Sequence, residues 1–221
     1  MTLMPRNTEF EPLSCHYCGR RTVHKVLFSL NSWSPPAAGR EWLFQSQVTQ
    51  CQGCQRPTFR TLTHFCDLPS ASPQPNLVQQ TLEHLYPPRI EGKLRLDQED
   101  CIPESIWRVY DETYDALSAE LDLLAGIGIR ALVEAVCKDR RASGSNLKER
   151  IRSLAGAGVL SEGQANTLQS LRIMGNRSAH EVAPQTVEEL MAAMDIAEHL
   201  IVSVYVIPHR ASLLPNSSEG T

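Results

Sequence analysis

Two short cysteine pairs near the start of the chain constrain its fold more than any other feature. Cys15 and Cys18 form one Cys-x-x-Cys pair, and Cys51 and Cys54 form a second pair after 32 intervening residues. Two residues between the thiolates allow a tight turn to direct both sulfur atoms at one ion. Two such turns supply the four soft ligands that tetrahedral zinc prefers. We therefore predict a Zn²⁺ ion held by these four cysteines.

Other interpretations of the cysteines are redox-active pairs, free thiols, or a metal site with a substitute ligand. A disulfide framework is not expected, because the seven cysteines are odd in number and the N-terminus lacks the apolar core of a signal peptide. Four thiolates leave no open coordination position, so we expect a structural zinc rather than a catalytic one. The substitute ligands considered are His16, His24, His64 and Cys66.

Three segments around the cysteine pairs have the β-branched and aromatic content of strands. They are Thr22–Leu30, Trp42–Gln50 and Thr58–Phe65. The order of cysteine pair, strand, turn, strand, cysteine pair and strand resembles a zinc ribbon. This resemblance implies a domain of three short antiparallel strands over residues 1–66. Because the segment has few large apolar residues, we expect it to depend on the metal to fold.

Positive charge is concentrated in the same segment. Residues 1–66 contain seven Lys and Arg against three Asp and Glu, whereas the rest of the chain contains 14 against 22. The net charge of −4 excludes a uniformly basic protein but permits a local basic face. Cations bind phosphates and aromatic rings stack on bases, so contact with RNA or DNA is one interpretation. The other is a solvated rim around a small aromatic core. The candidate nucleic-acid-binding residues are Arg20, Arg21, Lys25, Arg56 and Arg60.

A proline-rich stretch follows the cysteine-rich segment. Residues 67–103 contain six prolines, which favour an extended chain. We predict a connector over residues 67–102, with a short turn at Leu82–Tyr86. No apolar run approaches the roughly 18 residues needed to span a bilayer, so we expect no membrane contact and a cytoplasmic location.

From Glu104 onward the apolar residues recur at helical spacing. A break at Ser118 separates two helices, and Asn146 begins a third. Capping-box patterns begin the fourth and fifth helices, which start at Ser161 and Thr186. Pro208 is expected to end the fifth. The pattern predicts an α-helical bundle of about five helices over residues 103–210 and a disordered tail over residues 211–221, so the whole chain is expected to be α+β.

Three polar residues recur at four-residue spacing and so share one face of the fourth helix: Arg172, Asn176 and His180. Their side chains are of the types needed to cleave RNA through its own 2′-hydroxyl without a metal. In the alternative interpretation, Asn176 and His180 satisfy the end of the helix. The supporting candidates for this site are Arg177, Arg130 and Glu134.

The segments at residues 130–138, 146–151 and 171–181 resemble the prokaryotic domain of unknown function 4145 (DUF4145), a family in the HEPN-like group. The resemblance covers about residues 100–207, and its most specific part is the Gly-Asn-x-x-x-His-Glu segment. It implies an α-helical bundle, a homodimer, and a place in restriction or other anti-phage systems. Many HEPN-like relatives are metal-independent ribonucleases with an Arg four to six residues before the His. Here seven residues separate Arg172 from His180 and two separate Arg177 from it, so this sequence departs from that pattern.

Three hypotheses about function follow. The first is a zinc-binding, non-catalytic module of a prokaryotic defence system that associates with nucleic acid or regulates a partner. The second is a metal-independent ribonuclease that uses Arg172, Asn176 and His180. The third is a protein-interaction subunit that does not bind nucleic acid. The displaced arginine favours the first and third hypotheses.

Overall fold

The structure, a computed structural model, describes residues 2–3, 9–34, 40–67, 80–176 and 185–214. The chain divides into two compact units, Met1–Leu94 and Arg95–Thr221. Strands form the first, which we call the sheet unit, and helices form the second, which we call the helical unit. The predicted α+β fold class is confirmed.

The described part of the sheet unit forms one antiparallel sheet. Both β1 and β2 pair with β3 at one edge, and β4, β5 and β6 follow in order. The three predicted strands are found as β3, β4 and β5, each longer than predicted. The strands are β1 (Thr2–Leu3), β2 (Phe10–Ser14), β3 (Arg21–Trp33), β4 (Arg40–Cys51), β5 (Pro57–Asp67) and β6 (Gln80–Tyr86).

The last strand lies in the segment predicted as a connector. β6 pairs with β5 from Phe65↔Gln80 to Phe59↔Tyr86, so the prediction of a short turn at Leu82–Tyr86 is wrong. The free edge of β5 supplies hydrogen-bonding partners that local sequence patterns do not reveal. The compact sheet unit accordingly extends to Leu94, past the predicted boundary at residue 66.

The two faces of the sheet differ sharply. Residues at alternate positions on β4 and β5 are buried or half-buried, and several of the buried ones are polar: Gln47, Thr49 and Thr58. The positions on the opposite face of the sheet carry aromatic rings. The exposed rings among them retain 37% or more of their accessible surface. We call this opposite surface the aromatic face. Its Phe, Trp and Tyr rings on β3 to β6 are Phe28, Trp42, Phe44, Phe59, Phe65 and Tyr86, and Phe10 lies on the same face in β2.

The helical unit begins with a short 3-10 turn at Glu99–Cys101 and continues as a series of α-helices. Its core consists of large side chains that are completely buried, among them Ile106, Leu132 and Met194. The α-helices are α1 (Glu104–Ser118), α2 (Asp122–Asp139), α3 (Leu147–Gly156), α4 (Glu162–Asn176), α5 (Val187–Ile201) and α6 (Ile207–Ser212).

The predicted helix starts are confirmed by hydrogen bonds. The Asn146 side chain accepts from the Glu149 amide at the start of α3. At α4, the Ser161 amide donates to the Gln164 side chain and the Gln164 amide donates to the Ser161 hydroxyl. Thr186 forms a full capping box at the start of α5. These side chains satisfy amides that have no partner within the helix.

The prediction that Pro208 ends the fifth helix is wrong. After α5 the chain makes a π-helical turn over Val202–Val206 and continues as α6, with Pro208 in its first turn. Proline is tolerated there because a first-turn residue needs no amide hydrogen bond. α6 also includes the first two residues of the predicted tail, and residues 215–221 lie outside the described part of the chain.

One helical run in the described part of the chain, Val187–Ser212, is long and apolar enough to cross a bilayer. Half of its most apolar stretch is buried within the protein. Leu190, Met194 and Ile201 on this run are completely buried. The apolar character of the run is therefore explained by its place in the core of the helical unit.

Candidate metal centre

The four predicted zinc ligands lie together. The Sγ atoms of Cys15 and Cys54 are 3.6 Å apart, those of Cys18 and Cys51 are 3.8 Å apart, and all four lie within 4.8 Å of one another. A tetrahedron with zinc–sulfur bonds of about 2.3 Å has edges of about 3.8 Å. All four are free thiols, so no disulfide competes for them. The sulfur positions therefore fit a tetrahedral metal ion.

The two cysteine pairs adopt the same backbone turn. In each pair the amide of the second cysteine points at the Sγ of the first, at 3.4 Å for Cys18 and 3.5 Å for Cys54. The residue after each pair, Gly19 or Gln55, has a positive φ and donates its amide to the carbonyl of the first cysteine. This equivalence explains how two distant segments present matching pairs of sulfur atoms.

Hydrogen bonds around Cys51 favour its ionised form. Burial raises the pKa of this thiol, but the Thr22 hydroxyl at 3.2 Å and the amides of Cys54 and Gly53 lower it to about 6. For Cys18, burial and then the neighbouring thiols raise the pKa to about 12. The Cys51 thiol therefore ionises more readily than the Cys18 thiol, and a metal ion that binds the cluster must displace the Cys18 proton.

Among the described residues, no histidine joins the four cysteines as a potential metal ligand. His24 is completely buried in β3, with its Nδ1 at 2.9 Å from the Thr22 carbonyl oxygen. The potential metal ligands of the described chain cluster only at the four cysteines. Four thiolates with no open position can hold a structural ion but cannot present it to a substrate.

The segment after β6 supports this centre, and the sequence analysis missed it. Arg89 donates through Nη1 to the Ser14 carbonyl at 2.9 Å and to the Thr58 hydroxyl at 3.2 Å. Burial lowers the pKa of Arg89, while the neighbouring Cys15 and then Tyr17 raise it. A guanidinium remains charged in such a site, so Arg89 places a cation beside the thiolates.

A second contact fixes the same segment to the first cysteine turn. Leu94 lies against Gly19, where an added Cβ would come within 2.4 Å of the leucine side chain. Gly19 also has a φ of +64°, which favours glycine. Nearby, Glu91 lies 3.6 Å from Arg21 in an exposed ion pair. The sequence signal for this packing is the glycine that directly follows the cysteine pair.

The candidate nucleic-acid-binding residues fall into two groups. Arg20 and Arg56 are exposed beside the cysteine turns, and the Arg56 guanidinium lies 3.7 Å from the centre of the Tyr17 ring. Lys25 lies on β3 opposite Gln50. Arg60 differs, because its side chain is only 11% exposed and is paired with Glu83 and Gln47. The Arg60 charge is therefore already paired within the sheet unit.

The structure describes little of the predicted catalytic site. α4 includes the backbone of Arg172 and Asn176, but their side chains lie outside the described part of the chain. Arg177 and His180 lie outside it entirely. On α2, Arg130 and Glu134 form an ion pair of 2.8 Å four residues apart.

The fold and the site define a protein with a four-cysteine cluster that fits a metal ion in a β-sheet unit, and a separate α-helical unit. Residues 111–217 match the family model described as a domain of unknown function (DUF4145). The match covers most of the helical unit and confirms the resemblance of this part of the chain to the DUF4145 family. No curated protein and no solved structure matches the chain.

Proposed function

We propose that this chain is a zinc-dependent, non-catalytic module that binds nucleic acid through its sheet unit. The observation that carries the zinc assignment is the set of four Sγ atoms at tetrahedral spacing. Thiolate ligands select zinc over the hard cations that prefer oxygen. When bound, the ion joins the two cysteine turns and so fixes β3 to β4.

The distribution of charge supports nucleic acid as the partner. The sheet unit contains nine Lys and Arg against six Asp and Glu, whereas the helical unit contains 12 against 19. Arg20 and Arg56 are exposed beside the metal centre. Cations at such positions bind phosphates without reading the base sequence.

The test measures both properties on the full chain. Native mass spectrometry should find one zinc per chain, and fluorescence anisotropy should detect binding to labelled oligonucleotides that weakens as salt rises. Arg20→Ala and Arg56→Ala should each lower the salt dependence, and Arg60→Ala serves as the control because its charge is already paired. Zinc-loaded protein that binds neither RNA nor DNA would refute the nucleic-acid function.

Metal-independent cleavage of RNA by Arg172, Asn176 and His180 stays the alternative prediction. It is tested by incubating labelled RNA with the wild type and with His180→Ala, without added divalent metal. Intact RNA supports a non-catalytic module, whereas cleavage that is lost in the variant establishes a ribonuclease. Homodimerisation through the helical unit and a protein partner in a defence system also stay predictions. Light scattering measures the first.

A further inference from the structure

The aromatic face has a regular arrangement across the sheet. Phe28, Val48, Phe59 and Tyr86 are aligned in register on four neighbouring strands. The rings of Phe59 and Tyr86 have centroids 5.9 Å apart. These residues form a first cluster near the end of the sheet that carries the cysteine turns.

A second ring cluster lies towards the opposite end of the strands. The Trp42 ring lies 5.6 Å from that of Phe65 and 6.2 Å from that of Phe44. Phe44 and Val48 are four positions apart on β4, which corresponds to about 14 Å along the strand. The face therefore offers two groups of rings, with Leu30 and Leu82 at positions between them.

Exposure of these rings is costly unless a ligand covers them. Phe59 and Tyr86 are 43% and 46% exposed, while Gln47 on the opposite face is only 2% exposed. Apolar surface left in water forgoes the stabilisation that burial would give. Extended exposed apolar surface marks an interaction site more often than a structural requirement.

Charge distinguishes between the possible ligands. Between the Trp42–Phe65 pair and the cysteine turns, the described positions on the aromatic face include no Asp or Glu. The hydroxyl groups of Ser46, Thr61 and Thr63 lie at positions between the two clusters. Lys25 lies on the same face, opposite Gln50. It is the β3 residue that precedes Phe28 on this face, because a bulge lies between Val26 and Phe28. An aromatic surface without carboxylates and with a nearby cation complements a polyanion that carries flat rings.

We propose that the aromatic face binds single-stranded nucleic acid by stacking its bases on the two ring clusters. The strand is unpaired, because bases in a duplex are already stacked on one another and cannot lie flat on side chains. This proposal rests on the nucleic-acid function proposed above. It adds the class of ligand and the surface that recognises it.

The test uses the zinc-loaded full chain and labelled 15-nucleotide oligo(dT) and oligo(rU). Replacing Phe59 or Trp42 with Ala should weaken binding about 5- to 100-fold. The slope of affinity against salt should stay unchanged, because no phosphate contact is lost. Trp33→Ala is the control. Trp33 is 58% exposed, compared with 43% for Phe59 and Trp42, and lies opposite Leu43 on the other face of the sheet. Its loss should leave binding as in the wild type.

A direct optical signal tests stacking itself. In a Trp33→Phe, Trp107→Phe background, oligo(dT) should quench the fluorescence of Trp42. Each variant is first checked for one zinc per chain and wild-type circular dichroism, so that loss of binding is not loss of folding.

The outcomes separate the two proposals. If the wild type binds oligo(dT) but Phe59→Ala and Trp42→Ala bind equally well, stacking is refuted and the nucleic-acid function stands. Equal affinity for a 15-base-pair duplex also refutes stacking. If these variants instead abolish self-association in light scattering without affecting oligonucleotides, the face is an interface between two copies and the proposal is overturned. If the wild type binds no nucleic acid, both proposals fail.

Discussion

The helical unit buries many large apolar side chains, whereas the sheet unit buries mostly polar and sulfur-containing ones, with Leu13 and Leu62 as its buried leucines. Among the twelve largest fully buried side chains of the described residues, His24 is the only member of the sheet unit. Its other completely buried positions include Thr49 and Cys51. Burial of apolar area is the main source of folding free energy, so the two units must be stabilised differently.

This difference indicates that the sheet unit needs a source of stability other than an apolar core, and that its aromatic residues serve another purpose. Phe59 and Trp42 lie on an exposed face of the sheet, so burial of their rings does not stabilise the sheet unit. A metal ion that joins the two cysteine turns can replace that core. The helical unit needs no such aid, because its helices bury a continuous stripe of apolar residues.

The largest expected effect is the loss of a zinc ligand. Cys51→Ser should remove the zinc and unfold the sheet unit, since a structural zinc contributes about 10–16 kcal/mol in small domains. Zinc content by mass spectrometry and the near-ultraviolet signal of the sheet tryptophans measure this. Cys101→Ser is the control, because Cys101 is not in the sulfur cluster. A Cys51→Ser protein that keeps its zinc and its near-ultraviolet signal would contradict the assignment.

The second effect belongs to the helical unit. Leu132 is completely buried in α2, so Leu132→Ala should destabilise this unit by about 2–5 kcal/mol through lost burial and a residual cavity. Urea unfolding followed by helical circular dichroism measures the change, while zinc content should remain at one per chain. Leu124→Ala on the same helix removes an exposed side chain and should change stability by less than about 0.5 kcal/mol. Equal effects of the two substitutions would mean that Leu132 does not lie in the core.

A smaller effect is expected at the start of α5. Thr186→Ala removes the side chain that accepts from the Glu189 amide, and should cost about 1 kcal/mol. Thr186→Ser keeps the acceptor and should restore most of the stability. The same urea unfolding experiment measures both variants. If the two behave alike, the capping box does not stabilise the helix.

The smallest expected effect on stability is on the aromatic face. Phe59→Ala removes an exposed ring whose described ring contact is with Tyr86, so the loss should stay within about 1 kcal/mol. Thermal unfolding of the sheet unit measures it, with Leu62→Ala on the buried face as the comparison. A larger loss for Phe59→Ala than for Leu62→Ala would reverse the assignment of the two faces.

The sequence predicted those parts of the molecule that local chemistry determines. The two cysteine pairs were recognised by the spacing within each pair, although 32 residues separate the pairs. The capping side chains at Asn146, Ser161 and Thr186 act within a few positions of the chain. Their predicted partners are the ones observed. The DUF4145 match in the helical unit likewise agrees with the resemblance of its motifs.

What the sequence missed depends on contacts between distant segments. β6 forms only because β5 offers it a free edge, and Arg89 lies beside Cys15 only because β6 brings it there. The burial of Arg60 among Glu83 and Gln47 likewise follows from strand register, which the sequence pattern did not provide. Pro208 did not end the helical run because it lies in the first turn of α6, after a π-helical turn.

Hydrogen exchange of the full chain, with and without a zinc chelator, tests the central claim most directly. We predict that chelation removes amide protection from β3, β4 and β5 and leaves the protection of α2 and α5 unchanged, because only the sheet unit depends on the metal. Unchanged protection of the strands in metal-free protein would contradict the account, as would loss of protection throughout both units.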